Sequence, residues 1–413
     1  MDLRNYIVVT AAYWGFTLTD GALRMLVLLH FHTLGYSPLQ IAWLFLFYEL
    51  FGVITNLIGG WIGAVLGLRA TLFGGLALQV LALLALAALQ PAWVLWVSVA
   101  YVMAAQALSG IAKDLTKLSS KSAIRLVVPE GADSLLFRWV ALLTGSKNAL
   151  KGVGFFLGGL LLAAVGFAPA LVAMAGALAV LLVGAALALP RGMGRSKAKA
   201  RFSALLSKSR AINLLSAARF FLFGSRDVWF VVGLPVFLYD RLGWGFAQVG
   251  GFLALWVIGY GAVQAAAPAM LRAAGISSRA LATQLCTAVL AAVPAGIALA
   301  LGAGWNPAAV LVGGLALFAW VFALDSSLHS YLILAFTERD EVSLNVGFYY
   351  MANAAGRLAG TVLSGWLYGV GGLAGCLWAA VAFVLAAAAL SLLLPPEPSR
   401  TGQPTGVAPA GES

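Results

Sequence analysis

Charge is what this sequence has little of. Only 9% of its 413 residues are charged, 62% are hydrophobic, and the mean hydropathy is +0.98. A soluble domain carries roughly 25% charged residues, so a soluble multidomain protein is excluded and a polytopic membrane protein remains. Cysteine and histidine are also scarce. The two cysteines, Cys286 and Cys376, both sit in apolar runs, and there are three histidines. Neither a disulfide framework nor a metal cluster fits that inventory, and no metal and no cofactor are expected. No Gly-x-x-x-x-Gly-Lys-Ser/Thr loop and no Cys/His cluster occurs, which argues against a membrane enzyme acting on phosphorylated lipids. A cleavable leader is not expected either. The first apolar run is long, holds Asp20 and Arg24, and leads straight into further runs.

What is present is a series of apolar runs long enough to cross a bilayer. Six fall at 6–32, 39–66, 70–90, 92–112, 134–164 and 169–189, and six more at 211–239, 246–271, 279–302, 307–336, 342–369 and 371–394. Between the sets, Pro190 to Arg210 holds seven basic residues and no acidic ones. This divides the chain into a half at 1–190, a basic linker at 191–210, a second half at 211–394 and a Pro/Gly/Ser-rich tail at 395–413, expected to be disordered. With the N-terminus in the cytoplasm, the basic residues Arg4, Arg69, Lys113, Lys117, Lys121, Arg125, Arg138, the linker, Arg272, Arg279, Arg339 and Arg400 fall inside, and only Arg241 falls outside. That asymmetry predicts twelve transmembrane helices with both termini cytoplasmic, in the inner (cytoplasmic) membrane. It also accounts for most of the net charge of +11 without nucleic acid as a partner.

The halves read as repeats. Asp20 and Asp227 are 207 apart. Leu34, Gly35, Tyr36 and Gln40 match Leu242, Gly243, Trp244 and Gln248 at 208. Lys151, Gly154 and Gly159 match Arg357, Gly360 and Gly365 at 206. Six plus six helices around a basic loop is the architecture of the major facilitator superfamily, an all-α membrane fold with its site between two parallel repeats near the midplane. The superfamily often carries G-x-x-x-D-R-x-G-R-K after helix 2. Gly60 to Arg69 (GWIGAVLGLR) keeps the glycines and Arg69, but Ala64 and Val65 replace the acid and the base.

Five stretches resemble one family within that architecture, the ArsJ-type organoarsenical efflux permeases. They are Tyr13 to Arg24 (YWGFTLTDGALR), Leu108 to Leu115 (LSGIAKDL), Leu143 to Gly159 (LTGSKNALKGVGFFLGG), Ser207 to Asn213 (SKSRAIN) and Arg226 to Trp229 (RDVW). The resemblance covers nearly the whole chain up to the tail. It implies export of 1-arseno-3-phosphoglycerate, the unstable ester that glyceraldehyde-3-phosphate dehydrogenase makes from arsenate, and hence a functional link to that enzyme and arsenate resistance.

The site itself is read from charges inside the runs: Asp20, Arg24, Glu49, Lys147, Lys151, Arg219, Arg226, Asp227, Asp325 and Arg357. Intramembrane charges mark pathways or pairs, and a cation surplus suits a small anionic substrate. Asp20 and Arg24, four apart, form either a structural ion pair or one that opens when substrate takes the arginine. Lys147 and Lys151 share a face with no acid at helical spacing, and Lys151 corresponds to Arg357, so the two are expected to clamp an anion. Arg226 is a further substrate residue, with Asp227 pointing elsewhere. Arg219 is expected near the inner end, against lipid phosphates. Asn148 and Asn353 are candidate donors, and Tyr13, Trp14, Tyr48, Trp229, Tyr349 and Tyr350 candidate lining residues. Lys113, Lys117 and Lys121, beside Asp114, read as a positive-inside stripe or as a funnel for anions. His30 and His32 read as interfacial residues near the outer end of helix 1. Asp20, Glu49, Asp227, Asp325 and His329 are candidates for proton coupling or gating. Asp325 and His329, four apart, read equally as a structural hydrogen bond.

These features predict a monomeric secondary transporter in the lipid bilayer, not an enzyme, exporting a small organic anion by alternating access. Uniport and proton antiport both fit. The alternatives are a major facilitator transporter of another phosphorylated or anionic metabolite, or of a drug. A channel fits less well with the pseudo-repeat.

Overall fold

The computed structural model describes residues 3–90, 92–127, 133–190, 209–273, 279–337 and 342–395. Among these there are thirteen helices and no strand. The first half holds α1 (Leu3–Thr33), α2 (Pro38–Leu44), α3 (Leu46–Leu66), α4 (Leu68–Ala87), α5 (Leu95–Val127), α6 (Asp133–Val165) and α7 (Phe167–Ala188). The second holds α8 (Arg210–Phe230), α9 (Gly233–Asp240), α10 (Phe246–Ala273), α11 (Arg279–Gly302), α12 (Pro307–Ala335) and α13 (Val342–Leu392). The linker at 191–210, apart from Ser209 and Arg210, and the tail at 395–413, apart from Pro395, lie outside the described residues. So do the side chains of Lys121, Arg125, Arg138, Arg272, Arg339 and Arg400, on which the orientation partly rests, and those of Ala64 and Val65.

Among the described residues, ten elements are long and apolar enough to cross a membrane, against twelve expected from the sequence. The difference has two sources. First, α1 is not among the ten, because Asp20, Arg24 and its threonines lower its hydropathy. Second, α13 counts once although it has 51 residues. At 1.5 Å per residue that is about 76 Å, more than twice the hydrocarbon thickness. Gly372 breaks it with φ 59°. The two limbs fold back on each other there, and the Cys376 thiol donates to the Ser364 carbonyl at 3.6 Å. Two further spans are interrupted. α2 and α3 share one, Pro38–Ile58, and α8 and α9 share another, Arg210–Asp240. At the second break, the backbone N–H groups of Val232 and Gly233 donate to Ser364 Oγ at 3.2 and 3.1 Å. Irregular backbone at membrane depth needs such internal partners.

The repeat spacing reappears as exchanged contacts. Ser37 and Gln40 close a capping box at the start of α2, with Ser37 N–H donating to Gln40 Oε1 at 2.8 Å. Their counterparts keep one half of that box at α10, where Gly245 N–H donates to Gln248 Oε1 at 2.8 Å and glycine offers no side chain for the other half. Gly154 lies on α1 at Gly21 and Ala22, and Gly360 lies on α8 at Gly224 and Val228. In both cases a Cβ would run into backbone, so only glycine lets the helices approach this closely. Gly159 of the first half packs on the Phe246 carbonyl of the second, and Gly365 of the second packs on the Pro38 carbonyl of the first. These reciprocal contacts seal the halves at the end of the bundle where α1 finishes.

His32 and Asp240, 208 apart, also meet at this end, with His32 Nε2 at 2.8 Å from Asp240 Oδ1. His32, expected at the interface near the outer end of helix 1, thus also makes a cross-half contact. His30 stacks on Phe167 at 4.1 Å. The Asp240 side chain is 44% exposed, and exposed pairs contribute about 0–1 kcal/mol. Asp240→Asn is therefore expected to lower the thermal midpoint of the detergent-solubilised protein by no more than a few degrees, read by scanning fluorimetry.

Candidate functional site

Between the halves, on the α1-start side of that seal, lies a cavity of about 250 Å³. Among the described residues, eight basic side chains line it, against two acidic ones. Of the residues singled out in the sequence, Asp20, Arg24, Lys147, Asn148, Lys151, Arg226, Asn353 and Arg357 all reach it. Glu49 and Asp227 stand just behind the lining, fully buried. Asp325 and His329 do not belong to it. They are buried 3.7 Å apart on α12, with Thr287 of α11 donating to Asp325 at 2.9 Å.

The charges are wired differently from the simplest helical expectation. Asp20 and Arg24 do not pair. Asp20 accepts a hydrogen bond from Tyr48 at 2.6 Å, and Arg24 reaches across to Glu49 at 2.5 Å. Spacing on one helix had suggested partners, but α3 offers a carboxylate more directly in line. The same Glu49 oxygen, Oε1, also meets Arg357 of the second half at 2.6 Å. Arg357 in turn donates to Asp227 at 3.1 Å. Asp227 does not point away from Arg226, as consecutive helical positions suggest; the long guanidinium curls back, and Arg226 Nε donates to it at 2.6 Å. The result is a chain, Arg24–Glu49–Arg357–Asp227–Arg226, that crosses from one half to the other. Glu49 Oε2 is buried without a hydrogen-bond partner.

Lys151, the counterpart of Arg357, has no ion-pair partner among the described residues. Its Nζ lies 5.7 Å from the Phe155 ring centroid. Asn148 donates to Gln264 of α10 at 3.2 Å, another contact between halves.

One expectation is corrected. Arg219 is not out among lipid phosphates. It is buried, lines the cavity, and donates to Asn353 at 3.0 Å and to the Ser326 carbonyl at 3.1 Å. Lys113 and Lys117, read as a positive-inside stripe or as a funnel for anions, also line the cavity. Lys113 sits 4.0 Å from the Tyr48 ring centroid, and Lys117 bonds Asp114 at 2.9 Å and Asn56 at 2.7 Å. Among the aromatics, Tyr13 and Tyr350 line the cavity, whereas Trp14 bonds Ser146 and is partly exposed. Tyr48 lies between Arg24 and Lys113, Tyr349 is buried against Arg219, and Trp229 is core, edge-on to Trp256 and Phe318. Sequence reasoning passed over Asn56, Tyr260 and Gln264, which also line the space. A polar residue within an otherwise apolar run was the available signal for Asn56 and Gln264.

Fold and cavity together define a class: a multi-pass, all-helical membrane protein of the major facilitator architecture, with a polar space between its halves. Among solved structures, one from a study of substrate recognition in proton-dependent oligopeptide transporters superposes with a TM-score of 0.68 at 16% identity, covering 95% of this chain and 97% of that one. A transporter of the same proton-dependent oligopeptide (POT) family in complex with 5-aminolevulinic acid gives 0.73 at 14% identity, covering 94% of each chain. Neither a protein-family model nor a curated protein matches the sequence.

Proposed function

We propose that the protein is a secondary transporter that exports a small organic anion by alternating access, and that the anion is 1-arseno-3-phosphoglycerate. One observation carries the anion reading: among the described residues, eight basic side chains surround one small space with two acidic ones. Such a surplus is costly inside a membrane unless an anion enters. Arginine forks match the oxygens of phosphate or arsenate, and lysines add point charge. Arg24, Lys147, Lys151, Arg226, Arg357, Asn148 and Asn353 take the substrate in this reading. Asp20, Glu49 and Asp227 act as gating groups that trade partners with it. The arsenical identity rests on the resemblance of the five sequence stretches.

The two six-helix halves, at 1–190 and 211–394, rock about the cavity in the cytoplasmic membrane, with the termini and the linker inside. Export needs no coupling ion. Each negative charge leaving a cell that is negative inside gains about 2.3 kcal/mol per 100 mV. The link to glyceraldehyde-3-phosphate dehydrogenase is through its product.

The test is growth of an arsenic-sensitive bacterium on arsenate, with and without co-expressed dehydrogenase. Wild type is expected to protect only when the dehydrogenase is present. Lys151→Ala at equal membrane abundance is expected to protect no better than empty vector. Absence of protection by well-expressed wild type sinks the arsenical substrate and leaves another phosphorylated metabolite as the cargo.

A further inference from the structure

The start of α3 makes a slot for α1. Phe45, Tyr48 and Glu49 fall at i, i+3 and i+4 where α2 passes into α3, so they share one face. Arg24 lies against both rings, its guanidinium carbon 5.3 Å from each centroid, and reaches Glu49 Oε1. Lys113 of α5 lies over the same Tyr48 ring at 4.0 Å. Aromatic faces hold cations without cancelling their charge. Gly110 keeps α5 close to α3 at this point, because a Cβ there would run into the Tyr48 backbone.

The charge count of the cross-half chain is uneven. Three guanidinium groups, Arg24, Arg357 and Arg226, share two carboxylates, Glu49 and Asp227. One oxygen, Glu49 Oε1, serves both Arg24 and Arg357. One positive charge therefore stays in surplus, and that surplus is what an incoming anion meets. A third carboxylate stands within reach of cancelling it. Asp20 is four residues before Arg24 on α1, the spacing at which acid and base meet on a helix, and both line the cavity. Yet the two do not bond. The Tyr48 hydroxyl donates to Asp20 Oδ1 at 2.6 Å and holds the carboxylate on the α3 side.

From this geometry we infer that Tyr48 is a positioning residue: its hydroxyl holds Asp20 off Arg24 and so keeps the surplus charge open to an anion. Without the hydroxyl, Asp20 swings to Arg24 and closes the count at three against three. An anion must then break one more buried ion pair to enter. A phenol suits this role, since it satisfies a carboxylate by a hydrogen bond and leaves the charge of the wall unchanged. This inference rests on the anion-carrier reading above.

The experiment follows the binding of inorganic phosphate to the full chain in lipid nanodiscs by scanning fluorimetry, with chloride exchanged for phosphate at constant ionic strength. A ligand that binds only the folded state raises the thermal midpoint, and the concentration dependence gives an apparent affinity. Tyr48→Phe keeps the ring and removes the hydroxyl. It is expected to weaken phosphate at least about tenfold, the value of one charge-assisted contact. Asp20→Asn is expected to raise the affinity at least about tenfold in the Tyr48→Phe background and no more than about threefold in the parent. A hydroxyl that only stabilised the fold would leave Asp20→Asn with the same effect in both backgrounds. Equal effects in the two backgrounds, or unchanged affinity in Tyr48→Phe, overturn the proposal. So does a Tyr48→Phe protein with no cooperative transition even when Asp20→Asn is added, which places Tyr48 in the fold alone. These outcomes leave the anion-carrier reading standing. Failure of wild type to respond to phosphate overturns that reading and this inference together.

Discussion

Arg357→Gln is expected to abolish transport and to weaken the fold at the same time. Arg357 touches both Glu49 and Asp227, and it is the one residue through which the charge chain passes from half to half. Two charged hydrogen bonds at about 1.5–3 kcal/mol each correspond to at least about a hundredfold in rate if the substrate takes them over. The structural effect adds to this. Removing one partner of a buried ionic pair costs about 3–5 kcal/mol, because the other charge stays behind. Here two carboxylates lose a partner, although Arg24 and Arg226 still hold one each. The readouts are arsenate protection in cells and the thermal midpoint of the purified protein. Glu49→Gln/Arg357→Gln is expected to lower the midpoint further, because Arg24 then loses its buried carboxylate as well, and to restore none of the transport. Transport within threefold of wild type in Arg357→Gln would sink the role assigned to the chain.

The second large effect concerns the seal. Gly159 and Gly365 rest directly on the carbonyls of Phe246 and Pro38 across the two halves. A side chain at either position meets backbone rather than a movable side chain, and helix starts such as those of α2 and α10 do not yield readily. Gly159→Val/Gly365→Val is therefore expected to hold the halves apart at that end while leaving each half folded. The measurement is labelling from outside the cell by a membrane-impermeant thiol reagent. The reporter is Val257→Cys, on the cavity wall, with Cys286 and Cys376 replaced by serine. Labelling is expected to rise at least about fivefold over the parent with native glycines, a change a population shift of about 1 kcal/mol produces. Unchanged labelling in a well-expressed variant would show that these contacts do not close the outer side. Gly154 and Gly360, which pack within their own halves, supply the contrast: substitution there is expected to reduce expression rather than to open one end.

Much of this site could be read in the chain because charge in an apolar run is conspicuous. Lys147, Lys151, Arg226 and Arg357 stand out in that way, and all four line the cavity. The repeat was legible for a related reason. Gln40 and Gln248 recur because both cap a helix start, and Gly159 and Gly365 because both meet backbone across the same interface. What stayed hidden was partner choice. Arg24 finds Glu49 at 25 residues' remove, and Arg357 finds the same oxygen at 308. No helical spacing encodes such meetings. The depth of Arg219 was misjudged because its distance from the basic linker suggested an interface, whereas its contacts with Asn353 and Ser326 draw it inward. The number of spans was blurred by the same economy that builds the site: the polar residues that make α1 useful also make it a poor hydrophobic segment.

His32 and Asp240 occupy corresponding positions in the two repeats and touch each other. A position that meets its own counterpart lies on the axis relating the halves. In an assembly of two identical halves, such a position would face a copy of itself, histidine on histidine or aspartate on aspartate. Unlike partners there require two separately encoded halves. The pair thus marks a place where the two halves differ at a position their symmetry would make alike.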